Sequence, residues 1–573
     1  MTDKLSINEE LFHKGELYSA ESYLGCSFVK KRDEYIYTFR TYAPNAEAVH
    51  LASDYNGWAD SLIPLSKNES GIWECKVISS FTLEGYAYKY VIRAKGTSVY
   101  KGDPYAKYSK GGSDGASVIW TSSFAWTDGE WLSARANQAK NAKSTLSLPL
   151  NAYAVYPSDF TGFEGEKHPS YRELASSLVP YIRYMGYTHL RLLCALNTDG
   201  DPDGGGMFST AYRHGTPDDL KYLVNELHKF GIGIILDWNA THLTDTEWSA
   251  RCFDGAYLYE SPSVPGRIDT SQPESISFVL SSLSYALREY HSDGICIKGL
   301  DRANEADRAL LDRISALAKK EFRDVIFISD FQPESGGAQN LIRSSSYSDN
   351  VADYLATDPL YRASKHAAIT DIPLGSISHL DRRSAAGRSE SIVSSIHGSY
   401  DDKFRQLRTV MLYHMCLPVK KEAFMGHEFA RFSDWEKGRA LEWFMLGYPA
   451  HKKMRQYVCA LNRFYVKSPE LWQLDGEEGF VLISSSEKCC TAVIKRKSHD
   501  SHLFVAINMS GISQCVTIPS DGKLQCVFSS EENMTSERTT EISENGQSYI
   551  KVSLLPYSAR IYKPLQVNNK IIL

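Results

Sequence analysis

Three apolar segments in the middle of this 573-residue sequence are each associated with titratable side chains at their ends. Asp237 and His242 lie at the end of the first segment, Lys298 at the end of the second, and Asp330 at the end of the third. Carboxyl and imidazole groups can move protons during catalysis or bind polar groups of a substrate. A lysine can also form a Schiff base, but nothing else in the sequence supports that chemistry. The alternative for each residue is an ordinary polar group at a strand end.

Aromatic side chains are a second feature that could bind a ligand. The chain contains 35 Tyr and 10 Trp, and aromatic residues make up 12% of it. Such rings pack in protein cores or form platforms for flat ligands such as sugars. Trp58 and Trp73 are the candidates for sugar stacking in the N-terminal region. Core packing is the alternative for both residues, and we favour it for Trp58.

The overall composition excludes several classes of protein. The apolar fraction of 43% and the charged fraction of 23% are typical of a soluble globular chain and exclude a mainly disordered one. A net charge of −6 and a pI of about 6.3 argue against a nucleic-acid partner, which requires a basic surface. No window approaches about 18 consecutive apolar residues, so we expect no association with a membrane.

The cysteines and the first residues predict a reducing location. The eleven cysteines show no metal-ligand spacing, and the neighbours Cys489 and Cys490 have a poor geometry for a mutual disulfide. Residues 1–18 contain no apolar run and no small-residue cleavage site, so no signal peptide is expected. We therefore expect a cytoplasmic protein with reduced, mostly buried thiols, no metal and no cofactor.

The pattern of elements divides the chain into regions. A helical lead-in (1–25) precedes short alternating strands and turns that predict a β-sandwich (26–123), followed by a polar linker (124–150). Residues 151–468 alternate between strand and helix patterns, which predicts a TIM barrel whose site lies at the carboxyl ends of the strands. Short strands return in residues 469–573 and predict a second β-sandwich. The candidate barrel strands are 152–156, 189–193, 232–238, 294–299, 325–330, 351–357, 391–397 and 422–426.

Several motifs in this order resemble the glycogen (1,4-α-glucan) branching enzymes of the α-amylase superfamily, glycoside hydrolase family 13. In the first sandwich, Asp54-Tyr-Asn-Gly-Trp58 and Lys101-Gly-Asp-Pro-Tyr105 resemble that family's carbohydrate-binding module 48. In the barrel, the matching segments include Tyr212-Arg-His-Gly-Thr-Pro-Asp-Asp219, Gly231-Ile-Gly-Ile-Ile-Leu-Asp-Trp238 and Phe424-Met-Gly-His-Glu-Phe429. The resemblance covers nearly the whole chain and implies a role in α-glucan metabolism.

The resemblance also implies a retaining glycoside transfer that depends on carboxylates after the fourth, fifth and seventh barrel strands. This chain departs from that pattern. The nucleophile position is Lys298, the position of a supporting arginine is Cys296, and the acid/base position is Asp330, one methylene shorter than the usual glutamate. An ion pair from Lys298 to Asp330 or Asp237 is compatible with the loss of the nucleophile.

The seventh-strand region admits two alignments. The one we prefer places the third carboxylate at Gly398, preceded by His397, and the other uses His379 and Asp381. The loop at 199–206 replaces a stretch that carries a sugar-stacking tyrosine in the family. Asp237 and His242 match the first signature region, and the resemblance places them, with His397, in the substrate cleft.

Three functional hypotheses remain. The first is a catalytically silent branching-enzyme homologue that binds α-glucan or another enzyme of glycogen metabolism, because coupled catalytic groups cannot be lost without a large fall in rate. The second is an active branching enzyme that forms α-1,6 branches with a rearranged site. The third is a scaffold or regulatory subunit without affinity for sugar.

Overall fold

The computed structural model describes residues 6–112, 114–141, 145–161, 168–196, 206–336, 340–344, 346–371, 374–381, 388–520, 522–532, 539–544 and 547–565. The chain forms two compact units. The first contains Met1–Gln138, Phe163–Val179 and Arg191–Asn340, and the second contains Ala139–Gly162, Pro180–Leu190 and Leu341–Leu573. Among the described residues, no helix has the length and apolar character that crossing a membrane requires. All eleven cysteines are free thiols.

The N-terminal region is the predicted β-sandwich, preceded by the helix Ile7–His13. Residues of both sheets, among them Tyr37, Phe39, Leu51 and Tyr90, form one buried core. Burial of such alternating apolar side chains is the main source of stability for a sandwich. One sheet has the order Gly25–Lys31, Glu34–Tyr42, Ile72–Ser79, Ser66–Lys67, and the other contains Ala48–Ser53, Ala87–Ala94, Thr97–Lys101 and Ser117–Val118.

Eight parallel strands form a closed barrel, as the alternating pattern predicts. Strands enclosed by helices are buried on both faces and carry nearly continuous apolar runs. Gly233–Asn239 illustrates this, because all seven of its residues are buried. In chain order, the first to the eighth barrel strands are Asn151–Val155, His189–Leu192, Gly233–Asn239, Gly294–Lys298, Ile326–Ser329, Asn340–Ser344, Ser376–Ser378 and Lys420–Phe424.

Helices alternate with these strands, and local sequence signals fix where several of them begin. The helix Pro217–Lys229 starts at Thr216, whose hydroxyl accepts the Asp219 amide while the Asp219 carboxylate accepts the Thr216 amide. Pro217 is the first residue of this helix. Proline has no backbone N–H, but the N–H at that position would have no hydrogen-bond partner within the helix, so nothing is lost. The other helices are Gly129–Asn141, Pro157–Thr161, Tyr171–Met185, Pro273–Glu289, Glu305–Glu321, Ser346–Ala356, Ala367–Thr370, Ile392–Ser395, Tyr400–Cys416 and Pro449–Lys467.

Two predicted barrel strands are wrong. Residues 351–357 lie mainly in the helix Ser346–Ala356, whose buried Tyr347, Val351, Tyr354 and Leu355 follow helical rather than strand spacing. Residues 391–397 contain the short helix Ile392–Ser395, which begins where the Ser391 hydroxyl accepts the Ser394 amide.

The true sixth and seventh strands are Asn340–Ser344 and Ser376–Ser378. They are short and rich in serine and asparagine, so they carry little of the branched apolar signal by which a strand is recognised. This shift changes which residues follow the seventh strand, where the family places a catalytic carboxylate.

The predicted linker contains the helix Gly129–Asn141, which is held by buried polar contacts. Trp131 Nε1 and Arg135 Nη1 donate to Asp293 Oδ1 at 2.9 and 2.7 Å. His228 bridges Asp293 and Asp128 with its two ring nitrogens, and these hydrogen bonds raise the pKa of the buried imidazole against the effect of its desolvation. Asp293 directly precedes the fourth barrel strand, so this network fixes the start of that strand.

The C-terminal region is the second predicted sandwich. Its two sheets share a core that includes Val493, Phe504, Ile518 and Val552. The five-stranded sheet has the order Phe480–Ser486, Thr491–Lys497, His502–Asn508, Ser558–Pro564, Leu524–Ser529, and the three-stranded sheet has the order Gln514–Pro519, Gln547–Leu554, Thr539–Glu544.

Candidate functional site

The fourth barrel strand ends at Lys298, at the predicted position. Lys298 is half-buried, and Cys296, two residues earlier, is buried within the strand. Gly299 follows with a φ of +82°, and a β-carbon there would meet the Asn239 side chain at 2.3 Å. The Gly299 carbonyl accepts Thr241 Oγ1 and Arg267 Nη1, each at 2.8 Å. The strand end is therefore tightly anchored, and it presents an ammonium group rather than a carboxylate.

A buried ion pair lies beside it on the second and third strands. Arg191 Nε and Nη2 donate to the two oxygens of Asp237 at 2.7 and 3.1 Å. The exposed fractions are 1% for Arg191 and 8% for Asp237. The suggested ion pair between Lys298 and Asp237 is not among those of the described residues, since Arg191 holds both carboxylate oxygens. Asp237 is thus bound within the barrel rather than open to a ligand.

Asp330 directly follows the fifth strand, also as predicted. Its side chain reaches solvent, yet the protein packed around it raises the pKa of the carboxyl. Desolvation is the largest cause and raises this pKa. The charge of Arg191 lowers it and the charge of Asp237 raises it, and the net shift is upward. A raised pKa is the property that a general acid requires, because more of the group carries a proton near neutral pH.

His242 lies in a loop stabilised by Asn239. Asn239 Oδ1 accepts the amides of Thr241 and His242, each at 3.0 Å. The half-buried His242 lines a partly open pocket together with Asp103, Ser209 and Trp248, among others.

The residues after the seventh strand are His379 and Asp381. Asp381 is 1% exposed, and its Oδ2 accepts Ser389 Oγ at 2.8 Å. Arg431 Nη2 donates to the same serine hydroxyl at 2.5 Å. His379 is buried, with Nδ1 at 2.7 Å from the Asp381 carbonyl. This region does hold a carboxylate, but hydrogen bonds keep it inside the protein.

The placement of Gly398 and His397 after the seventh strand is wrong. Both residues follow the short helix Ile392–Ser395 and precede the helix Tyr400–Cys416. Gly398 has a φ of +127°, a conformation that glycine adopts without strain, and its turn leads into that helix. His397 is half-exposed, and its Nε2 lies 3.7 Å from Asp358 Oδ2. Neither residue is at the carboxyl end of a barrel strand.

The two candidate tryptophans of the first sandwich differ. Trp73 is 7% exposed, belongs to the core, and donates from Nε1 to the Ala43 carbonyl at 2.9 Å. Its assignment as a glucan-stacking residue is therefore wrong. Trp58 is half-buried, and its Nε1 donates to the exposed Asp54 carboxylate at 2.8 Å. Trp58 is not part of the core of this sandwich, so it remains a candidate for glucan stacking.

Other expectations bear on this site less directly. Of the loop at 199–206, residues 199–205 lie outside the described residues. Across the described ranges, no group of three or more His, Cys, Asp or Glu side chains is placed to hold a metal ion.

Sequence reasoning missed Arg191 and Arg431, whose partners are distant in sequence. The signal for Arg191 is a charged residue inside the apolar segment His-Leu-Arg-Leu-Leu.

Comparisons with known proteins agree with this architecture. Residues 23–106 match the family Carbohydrate-binding module 48 (Isoamylase N-terminal domain). Two relatives are both named 1,4-alpha-glucan branching enzyme GlgB. The one from Desulfitobacterium hafniense is 28% identical over 87% of this chain and 86% of its own. The one from Halothermothrix orenii is 27% identical over 99% of this chain and all of its own.

Solved structures with the same fold include pullulanases. The Anoxybacillus pullulanase complexed with maltotetraose has a TM-score of 0.73 at 13% identity and covers 98% of this chain and 90% of its own. A Paenibacillus barengoltzii pullulanase complexed with maltohexaose and α-cyclodextrin has a TM-score of 0.72 at 14% identity and covers 98% of both chains. Over most of its length the chain is therefore similar to proteins named 1,4-alpha-glucan branching enzyme, and its first sandwich matches a carbohydrate-binding module.

Proposed function

We propose that this protein is a catalytically silent homologue of the 1,4-α-glucan branching enzymes that binds α-glucan in the cytoplasm. The observation that carries the proposal is the set of side chains after the fourth, fifth and seventh barrel strands. These are Lys298, Asp330 and the buried pair His379 and Asp381. A retaining transfer needs a carboxylate nucleophile, and an ammonium group opposes the positive charge of the transition state.

Energetics support the loss of the reaction. Removing one member of a coupled catalytic set lowers the rate by about 10⁴-fold or more, and further losses add little. Here the nucleophile position holds Lys298, and the supporting arginine position holds Cys296. Asp381 is tied to Ser389 inside the protein, so it offers no free carboxylate to a sugar hydroxyl. With Lys298 at the nucleophile position, the described residues that end or follow the fourth and fifth strands do not supply the two carboxylates that a retaining mechanism uses.

Binding of α-glucan is supported separately from catalysis. The N-terminal sandwich matches a carbohydrate-binding module, and the relatives are named for an enzyme that acts on 1,4-α-glucan. A second enzyme of glycogen metabolism is the partner that we expect for a protein that binds the polymer without changing it.

One observation favours residual activity as the alternative. Asp330 is one methylene shorter than the glutamate that serves as acid/base in the family. Its pKa is raised, as an acid/base residue requires. An active branching enzyme would then need a nucleophile that is not Lys298.

Two measurements on the purified full-length chain test the proposal. Native electrophoresis in gels containing glycogen or amylopectin measures binding, and we expect the protein to be retarded. Incubation with amylose followed by iodine staining measures branching, and we expect no fall in absorbance. A protein that is not retarded has no glucan affinity and is better described as a scaffold. A fall in absorbance that Asp330→Ala abolishes identifies an active enzyme.

A further inference from the structure

One helix of the second unit carries positive charge and no negative charge. The helix Pro449–Lys467 contains five Lys or Arg residues and no Asp or Glu, although the formal net charge of the whole chain is −6. The outward side of this helix and one neighbouring tyrosine form what we call the basic surface, which consists of Lys452, Arg455, Arg463, Lys467 and Tyr184. We propose that the basic surface binds an acidic segment of a partner protein.

Helical spacing puts these charges on one side of the helix. Arg463 and Lys467 follow Lys452 by about three and four helical turns, so the three side chains lie along a line of about 22 Å. All three are exposed. The opposite side of the helix is buried and includes Met454 and Tyr465. Packing of that side therefore fixes the direction in which the charges point.

The charges of the basic surface are not neutralised by described parts of the protein. Lys453, which lies beside this surface, forms an ion pair with Glu532 at 2.9 Å. Among the residues that the structure describes, no carboxylate lies within ion-pair distance of the four basic residues that define the surface. An acidic segment could therefore approach them without displacing an internal partner, which favours rapid and specific association.

Tyr184 gives the basic surface an aromatic contact point. The Arg455 Cζ lies 5.8 Å from the centroid of the Tyr184 ring, and the Arg463 Cζ lies 5.9 Å from it. Arg463 Nη2 also donates to the Tyr184 carbonyl at 2.8 Å. The tyrosine is nevertheless 45% exposed. Side chains that are held in place before binding lose less entropy on association, and Arg and Tyr are among the residues that contribute most at protein interfaces.

The stability of the helix does not account for this charge. The dipole of a helix favours acidic residues near its amino end and disfavours basic ones. The first turn of Pro449–Lys467 contains no acidic residue, and Lys452 and Lys453 follow directly after it. Positive charge at this end opposes the dipole rather than complementing it. A role in binding explains the arrangement better than a role in folding.

The dimensions of the basic surface suit a short protein segment. About seven extended residues span 22 Å, at about 3.3 Å per residue. A nucleic acid is a longer polyanion that needs basic groups over a wide area, and a net charge of −6 on the chain opposes its approach. An acidic protein segment matches the small charged area and can also place an apolar side chain against the Tyr184 ring.

A charge-reversal variant of the full-length chain tests this proposal. Fluorescence anisotropy measures the binding of a fluorescein-labelled peptide of about ten glutamates at low ionic strength, where exposed charges are screened least. The test variant is Lys452→Glu/Lys467→Glu. The control is Lys488→Glu/Lys551→Glu, which changes the net charge equally at two exposed positions of the same unit outside the basic surface. We expect the test variant to bind about tenfold more weakly, since each reversal replaces an attraction by a repulsion, and the control to bind like the wild type.

Four other outcomes would overturn the proposal. A wild type that does not bind the peptide has no such site, and equal weakening in both variants would assign the binding to net charge alone. Tighter binding of an RNA of about ten nucleotides, weakened only in the test variant, would make the surface a nucleic-acid site. Oligomers that only the test variant dissociates in size-exclusion chromatography would assign the surface to contact between copies of the chain.

Two further measurements on the same proteins separate this inference from other effects. Equal melting temperatures exclude unfolding as the cause of weaker peptide binding. Retardation in gels containing glycogen tests the proposed glucan affinity, which does not involve the basic surface. A protein that binds the peptide but not glycogen would refute the proposed function and leave this inference intact.

Discussion

Replacing Arg191 by methionine removes the guanidinium group that binds both oxygens of the Asp237 carboxylate. The carboxylate is 8% exposed, so water cannot replace the two lost hydrogen bonds without opening the barrel. Methionine has a similar length and fills much of the same volume. The variant therefore tests the charge interaction more than the packing.

The structure gives a magnitude for this change. The pair is bidentate, with hydrogen bonds of 2.7 and 3.1 Å. Breaking one side of a buried ion pair costs about 3–5 kcal/mol, because it leaves a buried charge without compensation. Replacing both members, as in Arg191→Met/Asp237→Leu, removes the charge as well and should recover most of that loss.

Hydrogen exchange followed by mass spectrometry is the appropriate assay, because a chain with two units does not unfold in one step. We expect the opening free energy of Gly233–Asn239 to fall by about 3–5 kcal/mol in the single variant. A loss below about 1 kcal/mol would refute the reasoning, and so would a double variant whose loss equals the sum of the two single losses.

Three further predictions concern other parts of the chain. Lys298→Asp should not restore transfer on amylose, since Cys296 and the buried third carboxylate remain; product formation measured by iodine staining would contradict this. Trp73→Ala should destabilise the first sandwich by about 3–5 kcal/mol, as expected for a large buried ring, while Trp58→Ala should leave its melting temperature nearly unchanged. Burial lowers the pKa of Lys421 from 10.5 to about 7, so the unfolded chain binds more protons between these values and stability should rise with pH there. The melting temperature of Lys421→Met relative to the wild type should therefore be higher at pH 6 than at pH 9; an equal difference at both would contradict the shift.

The sequence predicts the architecture because its signals are local and repeated. Six of the eight barrel strands lie within a few residues of their predicted positions, since buried parallel strands such as Gly233–Asn239 are continuous apolar runs. The sixth and seventh strands could not be found this way. They are short and polar, and a neighbouring helix with buried Val351 and Leu355 gives a stronger apolar signal.

The site is only partly predictable for the same reason. Lys298 and Asp330 end strands with clear patterns, so their positions follow from the sequence. The wrong placement of Gly398 follows from the missed seventh strand. Because that strand is Ser376–Ser378, the residues that correspond to the family's third-carboxylate region are His379 and Asp381. The pairing of Arg191 with Asp237 joins two strands that are 46 residues apart in sequence, and no local pattern specifies such a contact.

Loss of the retaining reaction is tested most directly by one measurement. Amylose incubated with the wild-type protein is debranched, and the released chains are analysed by length. We predict the same chain-length distribution as without protein, and no glycosylated protein by intact mass spectrometry. New α-1,6 branches, absent when Asp330→Ala is used instead, would contradict the claim and identify an active enzyme.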